Sequence, residues 1–147
     1  MTPTAITVEP IGHVATTAPA GPLPRQASEA PEATGRVVLR TDLVPGLLGL
    51  RAYRHLWLVT WLHDQPAAPR DTPLRLVPSG TATGDREQGV FASRSPHRPN
   101  PIGLSLVRNL GVDGNVVTFA GVDLLDGTPV LDIKPWFADC DVPATGD

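Results

Sequence analysis

Short hydrophobic runs, interrupted by glycine and proline, follow one another along this chain and predict strands rather than helices. The clearest run is H-L-W-L-V-T-W-L-H at residues 55–63, in which alternate side chains fall on opposite faces of a strand. Leucines dominate one face, while Trp57 and Trp61 lie on the other, so both faces are largely apolar. Such a strand belongs at the centre of a sheet or in the wall of a barrel, and we expect both tryptophans to be core residues.

Weaker runs of the same kind predict the remaining strands, at residues 6–14, 35–44, 74–77, 90–92, 102–110, 116–122 and 128–136. Residues 15–34 are rich in alanine, proline and threonine and predict a long, flexible loop, whereas residues 138–147 predict a tail. The pattern indicates a mainly β fold with little helix. We expect a small closed or partly open β-barrel of about seven short strands with long loops, built as one domain over residues 1–147.

The composition is that of a soluble protein of one domain. The 147 residues include 17 prolines and 14 glycines, which favours turns over helices. No apolar run approaches the roughly 20 residues of a membrane span, and no secretory signal pattern opens the chain. The single cysteine, Cys140, excludes an internal disulfide and is consistent with a reducing compartment. We therefore expect a cytoplasmic protein without a membrane partner.

The net charge of −3 argues against indiscriminate binding to nucleic acid, but the charge is unevenly distributed. Between residues 70 and 108 there are six arginines and three acidic residues, a local charge of +3 that leaves −6 on the rest of the chain. A basic middle on an acidic body suits a defined anionic ligand better than coverage of a long duplex.

Residues 89–106 (G-V-F-A-S-R-S-P-H-R-P-N-P-I-G-L-S-L) carry more polar chemistry than any other segment, and we call residues 93–101 the proline track. Pro96, Pro99 and Pro101 fix their own φ angles and favour extended geometry in the residues before them, so the track is stiff and non-helical. It can form a pre-organised site for an anionic or amide-bearing ligand. The alternative is a surface turn whose arginines are solvated. The polar side chains of the track include Arg94, Ser95, His97, Arg98 and Asn100.

A second polar cluster follows the predicted strand at 116–122, in the run D-L-L-D-G-T-P. Asp126 and Gly127 predict a tight turn in which Thr128 and backbone N–H groups are available as donors. The alternative is an ordinary β-turn with a solvated aspartate. Further along, Lys134 can form a plain surface pair with Asp132.

Several common kinds of active site are disfavoured. The four histidines are scattered and the chain has no H-x-x-H or C-x-x-C motif, so we expect no metal site. Ser93 or Ser95 could pair with His97 as a nucleophile, but the G-x-S-x-G elbow is missing. Neither a G-x-G-x-x-G nor a Walker loop occurs, which argues against a Rossmann or P-loop nucleotide site.

Two long runs resemble the signature segments of the TrmO/TsaA-like family: G-V-F-A-S-R-S-P-H-R-P-N-P-I-G-L-S-L-V from Gly89, and D-L-L-D-G-T-P-V-L-D-I-K-P-W from Asp123. P-I-G from Pro10, P-R-Q from Pro24 and residues 49–63 match in the family's order. The resemblance implies a small, usually dimeric β-barrel that binds S-adenosyl-L-methionine near the subunit interface. It also implies N6-methylation of N6-threonylcarbamoyladenosine beside the tRNA anticodon.

The same resemblance implies roles for individual residues. Arg25 or Arg94 would hold the methionine carboxylate, and Asp126 would fix the ribose or the adenine. His97 and Asp126 are the candidates for the catalytic base, and substrate contacts would come from Arg98, Asn100 and Lys134. The implied cofactor contacts are Pro24, Arg25, Gln26, His63, Asp64, Arg94, Leu104, Asp126, Gly127, Thr128 and Pro129.

Two other functions stay open on the sequence. One is a methyltransferase of the same fold that acts on a small molecule, favoured by the short chain and its net acidity. The other is a non-catalytic S-adenosyl-L-methionine-binding module. All three depend on the proline track and the turn at Asp126 meeting to form one cofactor site. The expected partners are a tRNA or a small-molecule acceptor, together with a second copy of the chain.

Overall fold

A computed structural model describes residues 4–17, 24, 27–62, 73–77 and 86–144. Six of the strands in these ranges close into an antiparallel barrel in the order β1-β2-β7-β6-β3-β8, and β4 and β5 form a separate two-stranded sheet. The predicted mainly β fold and barrel are therefore confirmed. The strands are β1 Gly12–Ala15, β2 Thr34–Leu39, β3 His55–Trp61, β4 Arg75–Leu76, β5 Gln88–Gly89, β6 Ile102–Asp113, β7 Val116–Ala120 and β8 Pro129–Pro135.

Helices are short in the described ranges. One α-helix, α1, spans Ala138–Asp141, and single-turn or slightly longer 3-10 helices connect several strands. None of these helices is long and apolar enough to cross a membrane. The 3-10 helices are Ala27–Glu29, Thr41–Leu47, Leu50–Ala52 and Val90–Ala92.

The chain divides into two compact units. Residues 1–60 and 104–147 make up the first, which contains nearly all of the barrel. Residues 61–103 make up the second, which contains the β4–β5 sheet and the proline track. The organisation as one domain over residues 1–147 stays a prediction.

The barrel interior is filled by the alternate residues of each strand. In β3, Leu56 and Leu58 are fully buried while their neighbours are half-buried. β2 and β7 pair in antiparallel register, with Val37 opposite Val117, and both side chains point into the core. Phe119 is the largest of the fully buried side chains. Because successive strand residues face opposite sides, this alternation is the physical basis of the predicted strand pattern.

The prediction that Trp57 and Trp61 are core residues is wrong. Both are half-buried on the outer face of β3, and the leucine face fills the interior. The indole Nε1–H of Trp57 points toward the Asp141 carboxylate of α1, 3.4 Å away. The wall of a small, side-chain-filled barrel has one core face, and the leucines of β3 occupy it.

Several predicted boundaries also differ. Residues 90–92 form a 3-10 helix, since an apolar run of three residues does not distinguish strand from helical turn. The strand predicted at 35–44 ends at Leu39, and a 3-10 helix that contains Pro45 follows it. The predicted tail contains α1, where Asp141 accepts the N–H of Phe137 at 2.7 Å. Parts of the loop predicted at 15–34 lie outside the described residues.

Two buried threonines should respond oppositely to replacement by valine. Among the described residues, the Thr60 hydroxyl has no hydrogen-bond partner, whereas Thr128 donates its hydroxyl to the Leu125 carbonyl at 2.7 Å. An unsatisfied buried hydroxyl costs free energy, and a satisfied one contributes about 1 kcal/mol. We expect Thr60→Val to raise the free energy of unfolding by about 1 kcal/mol and Thr128→Val to lower it by about as much. Urea unfolding measures both, and a less stable Thr60→Val variant would contradict this account.

Candidate functional site

The turn at Asp126 is built as the sequence predicts. Thr128 donates its N–H to the carbonyl of Leu125 at 3.2 Å, which closes a four-residue turn. Gly127, the third residue of that turn, has a φ of 81°. Only glycine adopts this conformation without strain, as in a type II turn. The backbone geometry therefore depends on the D-G pair.

This turn is attached to the end of β1 by three hydrogen bonds. Val14 donates its N–H to the Thr128 carbonyl at 2.9 Å and accepts the N–H of Gly127 at 2.7 Å. Thr16 donates its N–H to Oδ1 of Asp126 at 2.9 Å. The Asp126 carboxylate is exposed but oriented by this contact. An oriented, solvent-accessible carboxylate can accept hydrogen bonds from the hydroxyl or amino groups of a ligand.

One feature of the predicted turn is wrong. The Thr128 side chain is 2% exposed, and its hydroxyl proton is already donated to the Leu125 carbonyl. This hydroxyl therefore stabilises the turn and is not available as a donor to a ligand. The predicted backbone donors are not available either, because the N–H of Gly127 is donated to the Val14 carbonyl and that of Thr128 to the Leu125 carbonyl. Any polar contact from this part of the turn to a ligand therefore has to come from a carbonyl oxygen.

A buried serine and a half-buried aspartate form a hydrogen-bonded pair at the start of the loop that ends in this turn, and they were not among the predicted site residues. Ser105 on β6 is 3% exposed and donates its hydroxyl to Oδ1 of Asp123 at 2.8 Å. Burial raises the pKa of Asp123, while hydrogen bonds from Ser105 and from the backbone of Asp123 and Ala27 oppose that rise. One feature of the sequence could have indicated this pair. Ser105 occupies the inward face of β6 together with Val107, and a polar residue on a core face needs a partner.

Asp123 should make the stability of the protein fall as pH increases. The folded state holds the Asp123 proton more tightly than the unfolded chain, because its folded pKa is raised. The free energy of unfolding therefore falls between the ordinary carboxyl pKa and the raised folded pKa, and levels off above it. In Asp123→Asn nothing titrates at this position. We expect the wild type to lose stability relative to Asp123→Asn across that window.

Denaturant unfolding of both proteins in steps from about pH 3.5 to about pH 7, which brackets ordinary and raised carboxyl pKa values, measures this difference. The account would be contradicted if the difference in free energy of unfolding between the two proteins did not change with pH. It would also be contradicted if the wild type became more stable relative to Asp123→Asn as pH rises.

The proline track is held by its own side chains. The Ser93 hydroxyl donates to the Val90 carbonyl at 3.1 Å, and the Ser95 hydroxyl accepts the backbone N–H of His97 at 3.2 Å. Nη1 of Arg98 donates to the carbonyls of Ser93 and Ser95 at 3.0 and 3.1 Å. The track is non-helical, as predicted, and these contacts add to the restriction that its prolines impose. They also give both serine hydroxyls local roles in turns, which does not favour a serine nucleophile.

Within the track, the arginines differ in environment. Arg98 is half-buried, and one of its terminal nitrogens is engaged by the loop itself. Arg94 and His97 are exposed. Asn100 is exposed, and its carbonyl accepts the N–H of Ile102 at 2.7 Å. The track thus presents Arg94, His97 and Asn100 to solvent on a backbone stiffened by Arg98.

The other predicted site residues differ in exposure and in role. Leu104 is 61% exposed on the outer face of β6, while Pro24 and Pro129 are half-buried. Lys134 forms the predicted surface pair with Asp132, with Nζ 3.0 Å from the carboxylate. No group of three or more histidine, cysteine, aspartate or glutamate residues in the described ranges could hold a metal ion. Arg25, Gln26, His63 and Asp64 lie outside the described residues.

Comparisons with known proteins were made with the whole chain. The Pseudomonas aeruginosa protein RcsF, provisionally named an S-adenosylmethionine-dependent methyltransferase, is 44% identical over 124 residues, 83% of this chain and 52% of RcsF. The mouse tRNA (adenine(37)-N6)-methyltransferase is 39% identical over 143 residues, 92% of this chain and 32% of the mouse protein. The chain therefore spans about half or less of these relatives.

The fold is also that of a solved relative. The crystal structure of TrmO from Pseudomonas aeruginosa superposes with a TM-score of 0.76 at 35% identity, and the match covers 99% of this chain and 61% of the other. The family model of the tRNA-methyltransferase O N-terminal domain matches residues 16–142, which include the turn at Asp126, the Asp123–Ser105 pair and the proline track. The chain belongs to the family of the tRNA-methyltransferase O N-terminal domain.

Proposed function

We propose that this protein is an S-adenosyl-L-methionine-dependent methyltransferase that methylates N6 of N6-threonylcarbamoyladenosine next to the tRNA anticodon. The family match over residues 16–142 carries the proposal. The mouse relative, whose name specifies the N6 position of adenine 37 in tRNA, supports the site of methylation. The threonylcarbamoyl group rests on the resemblance of residues 89–107 and 123–136 to the family's signature segments.

The residues present suit S-adenosyl-L-methionine, which offers a carboxylate, an ammonium, ribose hydroxyls and an adenine edge. Asp126 presents an exposed carboxylate that Thr16 orients, and this group can accept hydrogen bonds from the ribose or the adenine. Arg94 presents an exposed guanidinium, the side chain best suited to a carboxylate. We propose contacts from the backbone carbonyl oxygens of residues 127–129, apolar contact from Leu104, and further contacts from residues 24–26 and 63–64.

When bound, S-adenosyl-L-methionine supplies an electrophilic methyl group on a sulfonium. The protein's contribution is to orient the acceptor nitrogen and to exclude competing geometries, which accounts for most of the acceleration of such a transfer. We assign substrate contacts to Arg98, Asn100 and Lys134, of which Arg98 also stiffens the track. His97 or Asp126 would accept the proton that the adenine nitrogen loses, since both are exposed.

We further propose that the protein acts in the cytoplasm as a homodimer. An apolar strip on the outer face of β6 supports a second copy as the partner: Leu104, Leu106 and Leu110 are 61%, 38% and 46% exposed. Exposed leucines on one strand face, here with Arg108 between Leu106 and Leu110, are typical of an interaction surface. Leu104 is also one of the proposed cofactor contacts. Light scattering at micromolar protein concentration tests the dimer.

Mass spectrometry of tRNA nucleosides tests the function directly. The protein is incubated with methyl-labelled S-adenosyl-L-methionine and either threonylcarbamoylated or unmodified tRNA. We expect label only in the threonylcarbamoylated adenosine. Label in a small molecule alone would favour a methyltransferase with another acceptor, and cofactor binding without transfer to any acceptor would indicate a binding module. Binding to an anticodon stem-loop should weaken as salt increases, because phosphate contacts release counterions.

A further inference from the structure

Three segments that carry proposed cofactor contacts meet at the carboxylate of Asp123. Ser105 directly follows Leu104 in β6, and Ala27 directly follows residues 24–26 of the P-R-Q motif. Asp123 opens the loop that ends in the turn at Asp126. The three residues are distant in sequence, and all belong to the same compact unit.

Direct hydrogen bonds join these segments. The Ser105 hydroxyl donates to Oδ1 of Asp123 at 2.8 Å, and the backbone N–H of Ala27 donates to the same carboxylate. Ser105 is 3% exposed and Ala27 5% exposed, so both contacts are shielded from water. A shielded hydrogen bond to a carboxylate is stronger than one between neutral groups.

Close packing against Gly121 also restricts the position of Ala27. Gly121 has a φ of 94°, and a Cβ at this position would lie 3.2 Å from both the Cβ and the carbonyl oxygen of Ala27. Gly121 also donates its N–H to the Ala33 carbonyl at 2.7 Å. Ala27 accepts the N–H of Ala30 at 3.2 Å, so it is fixed from both sides.

An ionised carboxylate at this position lowers the stability of the folded protein. Burial disfavours its charged form and raises the pKa of Asp123. A side chain that only filled space here would be more stable if it were apolar. A half-buried ionisable group with a raised pKa marks a candidate functional position, here through the acceptor oxygens of its carboxylate.

We propose that Asp123 is a positioning residue for S-adenosyl-L-methionine binding: through the Ser105 hydroxyl and the Ala27 amide it holds Leu104, the start of the 3-10 helix at Ala27 and the turn at Asp126 in fixed relation to one another. This inference rests on the proposed function. Asp123 acts through its neighbours and does not itself contact the cofactor.

Calorimetric titration of S-adenosyl-L-methionine into the full chain tests the proposal. We expect Asp123→Asn and Ser105→Ala each to raise the Kd about tenfold or more, the effect of losing about one charge-assisted hydrogen bond. The matched control is Asp132→Asn, because Asp132 also accepts a backbone N–H, that of Ile133 at 2.9 Å, but touches none of the three segments. Its Kd should equal that of the wild type.

Two measurements distinguish the loss of a positioning contact from a general loss of stability. Amide hydrogen exchange at Ala27 without cofactor should become faster in Asp123→Asn, whereas amides in β2 and β7 keep their protection. In methyl-transfer assays the KM for S-adenosyl-L-methionine should rise while kcat at saturation stays close to that of the wild type. If Asp123→Asn does not fold, Ser105→Ala, which removes only one hydroxyl, decides by the same measurements.

If the wild type binds S-adenosyl-L-methionine and both variants bind it with the same Kd, the positioning role is overturned. The proposed function is then unaffected. A wild type that does not bind S-adenosyl-L-methionine would overturn both. A uniform loss of exchange protection across the barrel would also overturn the role, because it would mean that the pair supports the fold as a whole.

Discussion

Replacing Gly12 by alanine is expected to lower the free energy of unfolding by about 3 kcal/mol or more, a large part of the stability of a domain of this size. Gly12 in β1 lies opposite Leu39 of β2. A Cβ at Gly12 would overlap the carbonyl oxygen of Val38 and approach the Cα of Leu39 to 2.9 Å. Both obstacles are backbone atoms in a closed barrel, so no side-chain rotation relieves the overlap.

Gly46→Ala provides the matched control. An added Cβ at Gly46 has no described atom within 4 Å, and the residue lies in the 3-10 helix Thr41–Leu47. We expect this variant to be as stable as the wild type or slightly more stable, because alanine reduces the conformational freedom of the unfolded chain. Denaturant unfolding of the two variants measures the contrast. A Gly12→Ala variant within about 0.5 kcal/mol of the wild type would mean that β1 can shift away from β2.

Replacing Arg94 by alanine is expected to weaken S-adenosyl-L-methionine binding about 100-fold, equivalent to about 3 kcal/mol. Arg94 is exposed on the stiff proline track, so its guanidinium is presented on a backbone with little freedom to lose. A two-pronged arginine–carboxylate contact combines charge with two hydrogen bonds, and its loss leaves the ligand's carboxylate without that partner. The fold should be unaffected, because an exposed side chain contributes little to stability.

Arg75→Ala controls for the loss of one positive charge, since Arg75 is also exposed and lies in β4 of the same unit. Its affinity should be close to that of the wild type. Arg94→Lys separates charge from shape, because lysine keeps the charge but cannot form the two parallel hydrogen bonds. Titration calorimetry measures all three. Equal affinities for the wild type and Arg94→Ala would remove Arg94 from the cofactor site and leave Arg25 as the candidate for the carboxylate.

Much of the barrel could be predicted because strands carry a local signature. The predicted strands at 102–110, 116–122 and 128–136 correspond to β6, β7 and β8, with ends displaced by up to three residues. Their alternating residues and the glycine-containing turns between them depend on backbone geometry alone. Segments without alternation, such as residues 90–92 and 138–141, became helical through contacts that a short window does not contain.

Part of the candidate site could also be predicted from short stretches of the sequence. The D-G pair predicts the turn at Asp126, and three prolines predict the stiffness of the proline track, because glycine and proline restrict φ whatever surrounds them. The Ser105–Asp123 pair was different. Its members lie 18 residues apart, on different elements, and neither belongs to a local motif that requires the other.

The sequence by itself determined where the chain turns, where it extends and which side chains alternate, since these properties follow from φ preferences and a two-residue period. Only the tertiary structure decided which face of β3 is the core: Leu56 and Leu58 are inside and Trp57 outside, although both faces are apolar. It also decided that the half-buried Asp123 carboxylate is held by Ser105 and Ala27. Burial is a property of groups that the closed barrel brings together, so no stretch of the chain carries it alone.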